Sequence, residues 1–206
     1  MPRERKNKKE AFYIDTNIAL DYITGRNRDT ISILDKLKEM KSIIISSSFL
    51  VMEAADFKKD SLYVVKKAID EKWEIRKIIR DSYQKDLKTG DFYNISDWTE
   101  ELKSKLNLKL YDFLVDTDTW ELAQYISENS NLHAPDVIHL SSAIVVAQSG
   151  IEIKKDVIVP YKIFISNDKF LKKEAEKIKQ QLEVSYPDIL TVPEIKNKFF
   201  KKGSST

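Results

Sequence analysis

The chain has 206 residues, no cysteine, two histidines and a formal net charge of +2. These figures exclude disulfides, thiolate metal sites and cysteine nucleophiles; they put a histidine-rich metal centre out of reach and leave carboxylates, which suit magnesium or manganese. No apolar run approaches the ~20 residues of a membrane span and no signal-peptide core is present, so a cytoplasmic protein without a membrane partner is expected.

Residues 1–10 read as a solvated basic arm, and further basic clusters fall at 66–80, 172–179 and 196–202. Each is most simply a solvated surface; together they permit nucleic-acid binding. Residues 11–14 form a short apolar strand ending at Asp15, Thr16 and Asn17, and the helix after it stops near Gly25. Asp29 and Thr30 are placed to cap a second helix carrying Ile31, Leu34 and Leu37 at helical spacing. Residues 43–45 read as a buried strand, and Ser46, Ser47 and Ser48 as the cap of a helix over 49–57.

From 58 to 111 the pattern is charged and helical, without strand signals. Leu62, Val65, Ile69 and Trp73 share a face, a turn falls near Thr89, Gly90 and Asp91, and a second helix covers 97–106. This stretch reads as a helical insertion. A strand is then expected at 113–115 and a helix over 119–128. Pro135 opens a helix reaching about Gln148 that is apolar nearly all round, hence buried. Residues 163–165 form another buried strand ending at Ser166, Asn167 and Asp168, with an amphipathic helix next and a last strand over 189–192. Strands alternating with helices predict one α/β domain over 11–195, built on a mostly parallel sheet covered on both faces. A basic, polar tail over 196–206 follows it.

Ligand sites in such sheets form where strands end and loops diverge. Asp15 and Asp168 follow apolar strands, Asp136 lies in the first turn of a buried helix, and Glu53 sits about two turns into a helix. All four therefore reach one edge of the sheet. Singly, each has an ordinary reading: Asp15 and Asp168 as helix caps, Asp136 as a dipole partner, Glu53 as an exposed helix residue. Four carboxylates gathered together would repel and raise one another's pKa values, and a divalent cation removes that cost. Magnesium or manganese held there would activate a water and neutralise charge on a phosphoryl group.

Thr16, Asn17, Ser166 and Asn167 are placed either to support these acids by hydrogen bonds or to cap helices. His139 reads as a satisfied core residue. Asp116 and Asp118 could replace Asp136 but read better as a helix start. Arg76 and Arg80 could contact phosphates or face solvent. The chain has no G-x-x-x-x-G-K-[ST], G-x-G-x-x-G or G-x-S-x-G motif and four glycines in all, which argues against a nucleotide cofactor or serine-esterase chemistry.

Four segments in order carry a family resemblance: Tyr13-Ile-Asp15-Thr-Asn-Ile-Ala-Leu-Asp-Tyr, Ser46-Ser-Ser-Phe-Leu-Val-Met-Glu53-Ala, Ala134-Pro-Asp136-Val-Ile-His-Leu-Ser-Ser-Ala and Phe164-Ile-Ser-Asn-Asp168-Lys-Phe. They resemble the ordered motifs of PIN-domain nucleases, most of all the VapC-like toxins. The resemblance implies a three-layer α/β/α PIN-like fold with a mostly parallel central sheet, here carrying a helical insertion over 58–111 that VapC-like toxins usually lack. It also implies that Asp15, Glu53, Asp136 and Asp168 bind Mg2+ or Mn2+. Metal-activated water would then hydrolyse RNA, leaving a 5′-phosphate and a 3′-hydroxyl. Partners implied are an RNA substrate, a second copy in a homodimer and an antitoxin protein. Competing readings are a catalytically inactive PIN-like module binding RNA or protein, and a DNA-directed nuclease of the flap-endonuclease kind. A haloacid-dehalogenase-like phosphatase would want an aspartate where Asn17 stands.

Overall fold

The computed structural model describes residues 10–70, 87, 89–112, 117–154 and 157–200. The expected strand at 113–115, the basic arm up to residue 9, and Trp73, Arg76, Arg80 and Asp116 lie outside these residues. Among the described residues the main sheet has five strands, β1 (Ala11–Ile14), β2 (Ile43–Ser47), β3 (Lys109–Tyr111), β6 (Tyr161–Ile165) and β7 (Asp188–Leu190). All are parallel, in the order β3-β2-β1-β6-β7. A separate antiparallel pair, β4 (Ile151–Lys154) and β5 (Val157–Val159), precedes β6.

Central position explains why β1 is apolar on both sides: all four of its residues are buried. Phe12 and Ile14 pack with Ile44 and Ile165 against α1 (Thr16–Thr24), α2 (Arg28–Glu39), α3 (Phe49–Val65) and α4 (Thr89–Leu106). Ala11 and Tyr13 face the opposite core, with Ile45 and Phe164, under α5 (Thr117–Asn129), α6 (Ala134–Ser149) and α7 (Lys169–Lys179). Each large side chain so buried contributes roughly 2 kcal/mol. The result is the three-layer α/β/α fold expected. Among the described residues no helix is long and apolar enough to cross a membrane.

Several local expectations are corrected. Asn27, rather than Asp29 or Thr30, caps α2; its side chain accepts from the Asp29 and Thr30 amides at 3.1 and 3.2 Å. Asn caps as well as Asp, and Asp29 then falls in the first turn, where the helix dipole favours it. Ser46 and Ser47 belong to β2, and α3 runs on to Val65, with a π-helical turn at Lys66–Asp70. Val65 and Ile69 are exposed on this stretch, and Tyr63 and Lys67 are buried.

The turn expected near Gly90 is instead the start of α4, favoured by Asp91 in its first turn. The insertion also ends in a strand: β3 pairs in parallel with β2, and the Tyr111 carbonyl accepts from the Ser48 amide at 2.7 Å. The last strand is shorter than expected because Thr191 caps α8 (Val192–Ile195), forming a capping box with Glu194. Residues Lys196–Phe200 continue as a π-helical turn, and Phe199 meets Phe12 edge-on at 5.6 Å. That segment is therefore packed on the core rather than part of a free tail.

Gly150 joins α6 to β4 at φ +73° and ψ −176°, a region essentially restricted to glycine. A Cβ there would collide with Ile158 and approach the Val159 carbonyl oxygen to 3.2 Å. Gly150→Ala is expected to destabilise by about 2 kcal/mol, since Ile158 is exposed and can swing aside whereas the backbone cannot. A urea titration checks it: the midpoint should fall with the slope unchanged.

Candidate active site

The carboxyl ends of β1 and β6 lie side by side, with Ile14 in register with Ile165. The next residues, Asp15 and Ser166, are joined by a hydrogen bond from the Ser166 hydroxyl to Asp15 Oδ2. Asp15 also caps α1, its Oδ1 accepting from the Ile18 amide at 2.8 Å. Its cap role and its burial, at 5% exposure, go together. Burial pushes this carboxyl up to about 6; the bonds from Ser166 and Ile18 and the nearby His139 pull the other way, and Glu53 adds to the rise.

Asp168 follows two residues after Ser166 and caps α7, accepting from the Phe170 and Leu171 amides at 2.7 and 2.9 Å. Its own amide donates to Ser166 Oγ at 3.1 Å, so one serine links both strand-end acids. Asp136 lies in the first turn of α6 and is partly buried. Its pKa is raised by burial first and then by the charges of Asp168 and Glu53, with His139 and His133 opposing. Glu53, on α3, accepts from the Thr16 hydroxyl and from His139 Nε2, the latter at 2.7 Å. Asp136 thus feels the charges of Asp168 and Glu53, and Asp15 that of Glu53.

They are not gathered into a ready coordination sphere. Among the described residues no three His, Asp or Glu side chains form a group that could hold a metal ion. Glu53 is held by Thr16 and His139, and Asp15 by Ser166. The donor set is nevertheless of the right chemistry: hard carboxylate oxygens suit magnesium or manganese.

Of the supporting residues, Thr16 and Ser166 touch the acids directly. Asn167 does not: its side chain accepts from the Val192 amide at 3.1 Å and fastens α8. Asn17 is exposed, and its carbonyl accepts from Arg26 at 3.4 Å. Asp118 sits exposed in the first turn of α5, as a helix start should.

His139 is buried, as a core residue would be, yet its ring reaches Glu53, Thr16 at 3.0 Å, Ser47 Oγ at 3.3 Å and the Tyr13 hydroxyl at 3.4 Å. Sequence reasoning gave it no part in the site. Its spacing of one turn from Asp136 was the available signal, because residues three apart share a helix face. Beside Glu53 opens a pocket of about 640 Å³, whose wall includes Phe49, Met52, Lys59 and Pro135.

No protein-family model matches the chain, and no curated protein sequence does. Among solved structures, the crystal structure of VapBC2 from Rickettsia felis bound to a DNA fragment from their promoter is similar to it. The two share 12% identity over 88% of this chain and 98% of that one, with a TM-score of 0.47. A likeness this distant carries no weight for activity, so the functional reading stands on the site itself.

Proposed function

We propose that the chain is a Mg2+- or Mn2+-dependent endoribonuclease of PIN-like type, hydrolysing RNA phosphodiester bonds. The observation that carries the reading is the pair of strand-end acids that one serine joins: Ser166 donates to Asp15 and accepts from the Asp168 amide, while Asp136 is raised by burial first and then by the charges of Asp168 and Glu53. Helix capping accounts for Asp15 and Asp168 singly, but not for the charges of Asp168 and Glu53 on Asp136, which a bound divalent cation would relieve.

Asp15, Asp136 and Asp168 would hold the metal, with Glu53 completing the site directly or through a water. The bound metal supplies a water of lowered pKa and neutralises charge on the phosphoryl group. Ser166 keeps Asp15 and the start of α7 together, so the two strand-end acids move as a unit. The pocket beside Glu53 offers Phe49, Met52 and Pro135 as apolar surface for a base and Lys59 for a phosphate. A second copy of the chain and an antitoxin-type protein are the partners the motif resemblance implies, in a cytoplasmic setting.

The use of Glu53 Oε2 by both Thr16 and His139 favours one alternative, a PIN-like module that binds RNA or protein without cutting. Incubation with structured RNAs and single-stranded DNA, under manganese, magnesium or EDTA, separates the readings. Metal-dependent RNA cutting is expected. Cutting of DNA alone would move the assignment to a DNA-directed nuclease. Folded protein that binds RNA and leaves it intact would establish the module.

A further inference from the structure

We infer that His139 is a positioning residue that holds Glu53 at the acidic edge and so sets the affinity of the site for its cation. The role rests on the metal-dependent reading above. Glu53 differs from the other acids in how it is fixed. Asp15 and Asp168 are held by helix-cap bonds to backbone amides, and Asp136 belongs to a helix's first turn. Glu53 projects from the second turn of α3 and takes its orientation from two side chains, Thr16 and His139.

His139 is tied in its turn. Its Nε2 faces Glu53 Oε2 at 2.7 Å, and an ionised carboxylate only accepts, so Nε2 carries the hydrogen of this bond. The other nitrogen, Nδ1, lies 3.3 Å from Ser47 Oγ and 3.4 Å from the Tyr13 hydroxyl. That hydroxyl is itself anchored, accepting from the Ser47 amide at 3.0 Å. The Phe49 ring closes the remaining side of the imidazole, edge to face at 6.0 Å.

One buried ring therefore connects β1 through Tyr13, α1 through Thr16, β2 through Ser47 and α3 through Glu53, while riding on α6 one turn beyond Asp136. These elements also carry Asp15, Glu53 and Asp136. Outer residues that orient metal-binding carboxylates commonly change metal affinity by about 10- to 100-fold when removed.

The test is a Mn2+ titration of metal-free protein, with free Mn2+ read by electron paramagnetic resonance, which needs no turnover. Wild type, His139→Leu, Glu53→Gln and the double variant are compared, together with His139→Gln, whose amide N–H lies near the place of Nε2. Affinity should fall about tenfold in His139→Leu and recover in His139→Gln. The double variant should bind no more weakly than Glu53→Gln alone, because the histidine acts through the glutamate.

Unchanged affinity in His139→Leu, or losses that add in the double variant, would overturn the role while leaving the metal reading intact. A wild type that binds no Mn2+ overturns both. If His139→Leu does not fold, His139→Gln is set against His139→Asn, whose shorter amide stops near Nδ1. Weaker binding by Asn supports the role, and equal binding by the two refutes it.

Discussion

Asp15→Asn is expected to abolish cutting and, in metal-free protein at neutral pH, to make the fold more stable. Loss of one metal-binding carboxylate removes several kcal/mol of transition-state stabilisation, or about a thousandfold in rate. The gain in stability comes from the same burial. This carboxyl titrates at about 6 in the folded protein against an ordinary value of 3.8. Between those pH values the native state keeps a proton that the unfolded chain has released. Stability therefore falls as pH rises through the window, by about 3 kcal/mol in all.

Asparagine carries no charge to bury and can still accept from the Ile18 amide, but it disturbs the Ser166 bond, worth about 1 kcal/mol. The net gain is about 2 kcal/mol near pH 7, or roughly 5 °C in Tm for a chain of this size. Denaturant titrations at pH 4.5 and pH 7 check it: wild type should lose stability between them, and the variant should lose much less. A variant less stable than wild type at pH 7 would mean that Asp15 is not a strained charge.

Phe164→Ala should cost about 4 kcal/mol of stability. The ring is fully buried near the end of β6 and meets Tyr13 edge-on at 5.0 Å. Truncation leaves a cavity between β1 and the α6–α7 layer, where Leu140, Leu171 and Ala175 are locked in helices and cannot collapse into it. A domain stable by 5–15 kcal/mol would lose a large share of its margin. Urea unfolding measures the loss, and activity should be expressed per folded molecule. A shift under about 1 kcal/mol would show that the sheet can repack locally.

What could be read from the sequence follows the depth of burial. Strands β1 and β6 announce themselves because both faces are covered, so Ala11–Ile14 and the run ending at Ile165 are unbroken apolar segments. Gly25, at φ +71°, and Pro135 mark helix ends by backbone constraints that are local and therefore legible. Strand β3 hides for the opposite reason. It is a three-residue edge strand whose Lys109 and Leu110 are exposed, so it carries no period, and only its pairing with β2 makes it a strand. Asn27 and Asp29 are equally good caps on paper, and the choice between them is made by where α2 packs.

At the site, the acids just beyond β1 and β6 can be located from the strands alone. His139 offers only its spacing of one turn from Asp136, because a histidine on an apolar helix looks the same whether its neighbours are core or carboxylate. Its contacts with Tyr13, Thr16, Ser47 and Glu53 span separations of 86 to 126 residues. No local pattern encodes them.

The pairing of β1 with β6 also has a consequence for biosynthesis. Asp15 and Ser166 are 151 residues apart in the chain, and the bond between them joins the first strand to the sixth. A ribosome adding roughly 5–20 residues per second needs on the order of ten seconds to make that separation. Until β6 is delivered, β1 has one flank open and Asp15 lacks its Ser166 partner. Such distant parallel pairing is slow to form. The nascent chain therefore spends its synthesis without an assembled acidic edge, and competence would arrive late and at once, when the sheet closes.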